Sequence, residues 1–131
     1  MCNILGVVFT KNGSQSIPGC TSTTTDRIDI DIIVQVLSTE INKYITANAT
    51  WRRGATSFDG WSPVQYITSS GIYDFIVSVP VSTVGTYTIS SVFVNNNTDN
   101  VVICNTTSSQ VCNTLTVTSS CNTPTCNFAM T

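Results

Sequence analysis

The chain has 131 residues with five Lys plus Arg, seven Asp plus Glu and no His, so charged residues make up only 9% of it. An ordinary soluble domain carries about 25% charged residues, and here Thr, Ser and Asn, 50 in all, take over the solvating role. Five scattered basic residues make no nucleic-acid footprint, 28 Val plus Ile argue against disorder at a net charge of −2, and no apolar run reaches the roughly 18 residues of a membrane span.

Residues 1–25 divide into an apolar strand and a polar linker. Ile4, Leu5, Val7, Val8 and Phe9 form a nearly continuous apolar run, a pattern suited to burial on both faces. Residues 11–25 read as a polar, Gly- and Pro-containing linker. Two readings are open: a first strand joined to its own sandwich by a long loop, or a donor strand that leaves its subunit and completes the sheet of the next one, a head-to-tail contact that propagates a filament. The first nine residues lack the basic region and length of a signal peptide, so the chain is expected to be a processed product or to leave the cell by another route.

Residues 26–131 alternate with period two and are expected to form one β-sandwich domain with a Cys-rich C-terminal end. Strands are predicted at 26–39, with Ile28, Ile30, Ile32, Val34 and Val36 inward and Arg27, Asp29, Asp31 and Gln35 on a wet face, and at 43–51, after a turn at 38–42. Further strands are predicted at 63–69, 71–81, 85–95, 101–104 and 111–119, the 85–95 strand keeping Tyr87, Ile89, Ser91 and Phe93 in phase. Seven or eight such strands separated by turn signals imply an all-β, immunoglobulin-like sandwich. Trp51 stands where these folds bury a tryptophan, and Gly85-Thr86-Tyr87-Thr88-Ile89 has the form of a tyrosine corner, so Trp51 and Tyr87 are expected in the core.

Residues 51–61 read as a loop dense in aromatic and basic residues. Trp51 and Trp61 either cap the core at its two ends, or Trp61 joins Tyr44 and Tyr66 in an aromatic platform for sugar rings. Six cysteines, Cys2, Cys20, Cys104, Cys112, Cys121 and Cys126, point to disulfides and an oxidising compartment; their spacing fits no zinc site, and the expected set pairs neighbours, Cys2 with Cys20, Cys104 with Cys112 and Cys121 with Cys126. Asn12, Asn48, Asn96 and Asn105 each begin an N-x-[ST] sequon and are expected on loops or outward strand positions, where attached glycans meet solvent.

Without histidine no Ser-His or Cys-His nucleophile is available, and no enzyme activity and no cofactor are expected. Asp29 and Asp31 form a possible glycosidase-like carboxylate pair but read more simply as a solvated stripe. Asn95, Asn97 and Asp99 match the first half of a calcium loop without its glycine or terminal glutamate, and no metal site is expected. Lys43 has the chemistry for an isopeptide link, with no partner legible.

The charge-poor Thr/Ser/Asn-rich strands, the apolar first strand, the sequons and Gly85-Thr86-Tyr87-Thr88-Ile89-Ser90 resemble surface filament proteins of thermoacidophilic archaea, of the thread and donor-strand pilus type. That resemblance implies glycosylated immunoglobulin-like subunits linked head to tail, with residues 4–9 as the inserted strand and the four sequon asparagines as glycan sites. Partners would be copies of the chain itself as a homopolymer and covalently attached glycans, located at the cell surface. Capsid, turret and spike proteins of viruses infecting such organisms share the style, so a virion protein is the alternative and a carbohydrate-binding sandwich the second.

Overall fold

The computed structural model describes residues 2–13, 15–106 and 114–118. Among the described residues, ten strands form two packed sheets: β1 (Cys2–Lys11), β2 (Thr21–Thr23), β3 (Ile28–Val36), β4 (Lys43–Arg53), β5 (Thr56–Trp61), β6 (Gln65–Ile67), β7 (Gly71–Val79), β8 (Gly85–Asn96), β9 (Val101–Thr106) and β10 (Thr114–Thr118). The small sheet has the order β1-β3-β7; the large one runs β2-β10-β8-β4-β5, with β6 also on β4 and β9 also on β8. This is an immunoglobulin-like arrangement, with β1, β3 and β7 facing the sheet built on β4, β8 and β10. No helix among the described residues is long and apolar enough to cross a membrane.

The alternating residues of β3 enter the core as expected: Ile28, Ile30, Ile32, Val34 and Val36 are all buried, opposite Ile45, Ala47, Ala49 and Trp51 of β4. Phe75, Val77 and Val79 of β7 and Leu115 and Val117 of β10 complete the two inner faces. Tyr87 is buried at the start of β8, and its hydroxyl donates to the Thr83 carbonyl, the back-bond of a tyrosine corner.

Five expectations change. The run 4–9 is not detached from its own sandwich: as β1 it pairs antiparallel with β3 of the same chain, and its Val7 and Phe9 fill this chain's core. It is an edge strand rather than one buried on both faces, with Ile4 and Val8 half-buried and Leu5 exposed at a bulge between Ile4 and Gly6. Residues 11–25 are less a linker than a folded connection. It contains a 3₁₀ turn, Pro18–Cys20, and the short β2, which runs parallel to β10; Asp26 closes it by accepting from the Ser22 hydroxyl at 2.6 Å and the Thr23 amide at 3.2 Å. The loop expected at 51–61 is a hairpin, β4 turning at Gly54 (φ 62°) into β5. Finally, the alternation of β8 breaks in the middle: Ile89 lies opposite Trp51 but Ser91 opposite Thr50, so Ser90 is an inserted residue and the phase reverses beyond it. Val92 and Val94 therefore point inward and Phe93 outward, opposite to the predicted register.

Cysteine pairing also differs from the neighbour set. Cys2 is bonded to Cys104, 102 residues away with 5.6 Å between Cα atoms, so neither Cys2–Cys20 nor Cys104–Cys112 forms. Sequence proximity is a poor guide here because the antiparallel sandwich carries the start of β1 to the edge strand β9. Cys20 is in a disulfide too. Cys112, Cys121 and Cys126, and with them the Cys121–Cys126 pair, lie outside the described residues.

Candidate ligand-binding face

The outward positions of β4 are the even-numbered residues Tyr44, Thr46, Asn48 and Thr50, each set by register beside a specific neighbour. Tyr44 lies opposite Tyr66 of β6, Thr46 opposite Asn95 of β8, and Asn48 between Trp61 of β5 and Phe93 of β8. The strand pairing thus gathers onto one face four aromatic rings that the sequence separates by up to fifty residues. Tyr44 and Tyr66 meet with centroids 4.8 Å apart and planes tilted by 55°, and the Trp61 indole meets Phe93 edge to face at 5.3 Å. Tyr44, Trp61 and Tyr66 are each about half exposed, at 53%, 53% and 48%, so Trp61 does not cap the core. Trp51 does: it is buried and stacks on Phe58, with the Arg53 guanidinium over both Phe58 and Tyr87.

Beside Trp61 lies an open cavity of about 320 Å³ lined by Thr46, Trp61, Ser62, Val64, Asn95, Asn97 and Asn100. Its floor is fixed by buried hydrogen bonds: the Thr46 hydroxyl donates to the Ser62 carbonyl at 2.8 Å, and the Ala47 amide donates to the Ser62 hydroxyl at 2.9 Å. Its rim is the 95–100 turn. Asn97 N–H donates to the Tyr44 carbonyl, the Tyr44 amide donates to the Thr98 hydroxyl, and Asn95 Nδ2 donates to Asn97 Oδ1 at 2.6 Å. That last bond does not use the Asn95 side-chain oxygen, an acceptor, or the Asn97 NH₂ group, a donor. Rings with a free face beside paired amides suit a ligand that is apolar on one side and hydroxylated at its edges.

Below the rim, Asn96 is buried and fully used. Its Nδ2 donates to Glu40 Oε1 and Asp99 Oδ2, each at 3.0 Å, and its Oδ1 accepts from the Asp99 amide. Lys43 completes the cluster by a 2.7 Å contact with Asp99, and its hydrogen bond holds the Asp99 carboxyl below its ordinary value. Lys43 thus spends its amine on an ion pair with Asp99. Asn95 and Asn97 bond each other and Asp99 bonds Asn96 and Lys43, and among the described residues no group of three or more His, Cys, Asp or Glu side chains is placed to hold a metal ion.

The sequon asparagines separate into two classes. Asn12 and Asn105 are exposed. Asn48 and Asn96, expected at the surface, are 4% and 1% exposed, a correction with a clear cause: Trp61 and Phe93 flank Asn48, whose Nδ2 donates to Asp59, and the Glu40–Asp99 cluster encloses Asn96. The folded chain thus offers no room for a glycan on either.

Asp29 and Asp31 also depart from the wet stripe expected of them. Both are buried on the outer face of the small sheet, Asp31 beside Val8 and Ile76 and Asp29 beside Thr10 and Ser78. Arg27 reaches Asp29 at 3.9 Å, whereas Asp31 Oδ1 has no hydrogen-bond partner. Burial, reinforced by the neighbouring Asp74 carboxylate, pushes Asp31 up to about 6. Neither carboxylate lines the cavities of about 370, 320 and 470 Å³ found among the described residues.

Phe93 and Ser62 are not legible in the sequence as site residues, and Asn95 is legible only as part of a calcium-loop fragment. A period-two reading places Phe93 inward because it cannot register the bulge at Ser90, and it gives no strand at β5. The Gly54-Ala55 pair between Arg53 and Thr56 is the turn signal that marks the hairpin. No protein-family model matches the chain, and no curated protein shows significant sequence similarity to it.

Proposed function

We propose that the chain is an extracellular carbohydrate-binding module of immunoglobulin-like fold. The observation that carries this reading is the exposed Tyr44–Tyr66 and Trp61 platform beside a cavity rimmed by asparagine side chains. Sugar rings present C–H faces that pack on aromatic rings and hydroxyls that pair with amides. The Cys2–Cys104 disulfide supports an oxidising, extracellular setting. Retention on immobilised polysaccharides tests the reading: wild type is retarded, and Trp61→Ala and Tyr44→Ala each lose about tenfold in affinity, the equivalent of roughly 1.4 kcal/mol. Both side chains are half exposed, so unfolding should change little. Wild-type protein that passes unretarded over neutral, acidic and amino polysaccharides alike sinks the proposal.

A second reading, a structural subunit of an extracellular filament or a virion, is favoured by the incomplete small sheet. Immunoglobulin sandwiches pair a fourth strand with the one in β7's position; here β6 pairs with β4 instead and β7 ends the sheet. In this reading the assembly contact is a sheet edge of the intact sandwich rather than exchange of β1, which its own chain holds by nine register pairs and a disulfide.

A further inference from the structure

The free edge of β7 carries an inference independent of the glycan reading. The Asn12 amide donates to the Arg27 carbonyl at 2.8 Å, so the odd-numbered residues of β3 turn their backbone groups toward β1 and the even-numbered ones toward β7. In register with the latter, Ile28 opposite Val79 through Val36 opposite Gly71, the odd-numbered residues of β7 bond β3. The amides and carbonyls of Ile72, Asp74, Ile76 and Ser78 therefore point away from the sheet. The Asp74 carbonyl accepts from Gln65 Nε2 at 2.7 Å from that open side, consistent with this parity, and among the described residues no other hydrogen bond reaches these backbone groups from that side.

Sheet edges are ordinarily blunted by brevity, bulges, prolines or charges. β2 and β6 are three residues long and β1 is bulged, whereas β7 runs nine residues without a register shift, without proline or basic residues, and with Asp74 its single charge. Ile72, 65% exposed, stands at its start.

We propose that β7 is a homodimerisation edge, pairing antiparallel with β7 of a second copy about a two-fold axis at Phe75. The strand is self-complementary in that one register: Ile72 pairs with the partner's Ser78 and Asp74 with the partner's Ile76, so all four outward residues are used and the two Asp74 side chains are never directly opposed. About eight backbone hydrogen bonds form, two for each pair, and the two small sheets become one of six strands. The contact is isologous and closes on itself, so a filament needs a further interface. Among the described residues Gln65 is the one side chain hydrogen-bonded to this edge, and it must release the Asp74 carbonyl.

Sedimentation velocity of the oxidised full chain over a wide concentration range tests this. Wild type should pass from the 14.1 kDa of one chain to twice that mass. Ile76→Pro removes an outward amide but no bond to β3, and should hold the mass at one chain; retained near-ultraviolet circular dichroism shows that it folds. Gln65→Ala should shift dimerisation to severalfold lower concentration, an effect of opposite sign that does not depend on the proline variant. Wild type monomeric throughout, a folded Ile76→Pro that dimerises like its parent, or a Gln65→Ala that dimerises no more readily than wild type, overturns the proposal.

Discussion

Tyr87 shows how much one side chain can carry in this fold. Its ring is buried against the core, its hydroxyl ties the 83–85 approach to β8, and its outer face receives the Arg53 guanidinium at 5.9 Å. Tyr87→Phe keeps the ring and removes the bond to Thr83, and should cost about 1 kcal/mol, read as a lower urea midpoint at unchanged slope. Asp31 works in the opposite sense. With its pKa raised to about 6 in the fold against 3.8 for an ordinary aspartate, the native state holds the proton more tightly than the unfolded chain. The stability this contributes is fully present below pH 4 and is lost as pH rises through about 6, leaving a buried carboxylate beside that of Asp74 at neutrality. Stability should therefore increase on acidification from pH 7 to pH 4, by up to about 3 kcal/mol, and Asp31→Asn should be more stable than wild type at pH 7 and flatten that profile. Thermal unfolding of both proteins across that range measures it; a wild type that loses stability between pH 7 and pH 4 contradicts the assignment.

Among the elements, β1 is held twice. Nine register pairs join it to β3, and the Cys2–Cys104 bond crosses from its start to β9 of the other sheet. A cross-link spanning 102 residues restricts the unfolded chain strongly, and its loss should cost about 4–5 kcal/mol on the chain-entropy account. Cys104→Ser should accordingly lower the unfolding midpoint and raise amide exchange first in β1, measured by hydrogen–deuterium exchange. An added peptide of the β1 sequence should bind the oxidised chain poorly and this variant better, which gives a direct test of exchange against self-complementation. β5 offers a contrasting constraint. A Cβ on Gly60 would stand 3.1 Å from Val77 Cγ1 and 3.3 Å from the Trp51 ring, so any other residue there requires these side chains to give way by a few tenths of an ångström.

For the whole molecule, scarcity of charge has a quantitative consequence. Protonating all seven carboxylates moves the net charge only from −2 to about +5, so self-repulsion in acid stays small. The described ion pairs, Arg27–Asp29 and Lys43–Asp99, each leave one partner well exposed, where such contacts contribute little. Raising the salt concentration tenfold at pH 7 should therefore shift the melting temperature by no more than a few degrees, and a large drop would reveal an electrostatic contribution that these contacts do not account for.

Period-two alternation, turn residues and the Gly85-Thr86-Tyr87 signature were enough to read an all-β sandwich, the inward row of β3, and the burial of Trp51 and Tyr87, because each follows from local geometry that a strand imposes on its own residues. Local pattern was silent wherever the outcome depended on a neighbour distant in sequence. The bulge at Ser90 reversed half of β8, cross-strand aromatics buried Asn48 and flanking strands buried Asp31, and the antiparallel closure brought Cys2 to Cys104. The aromatic face arises in the same way. Tyr44, Trp61 and Tyr66 are legible as exposed candidates, but only the pairing of β5, β6 and β8 onto β4 sets them on one face, with Trp61 lining a cavity together with Asn95 and Asn97, because register, and not composition, decides which side chains share a face.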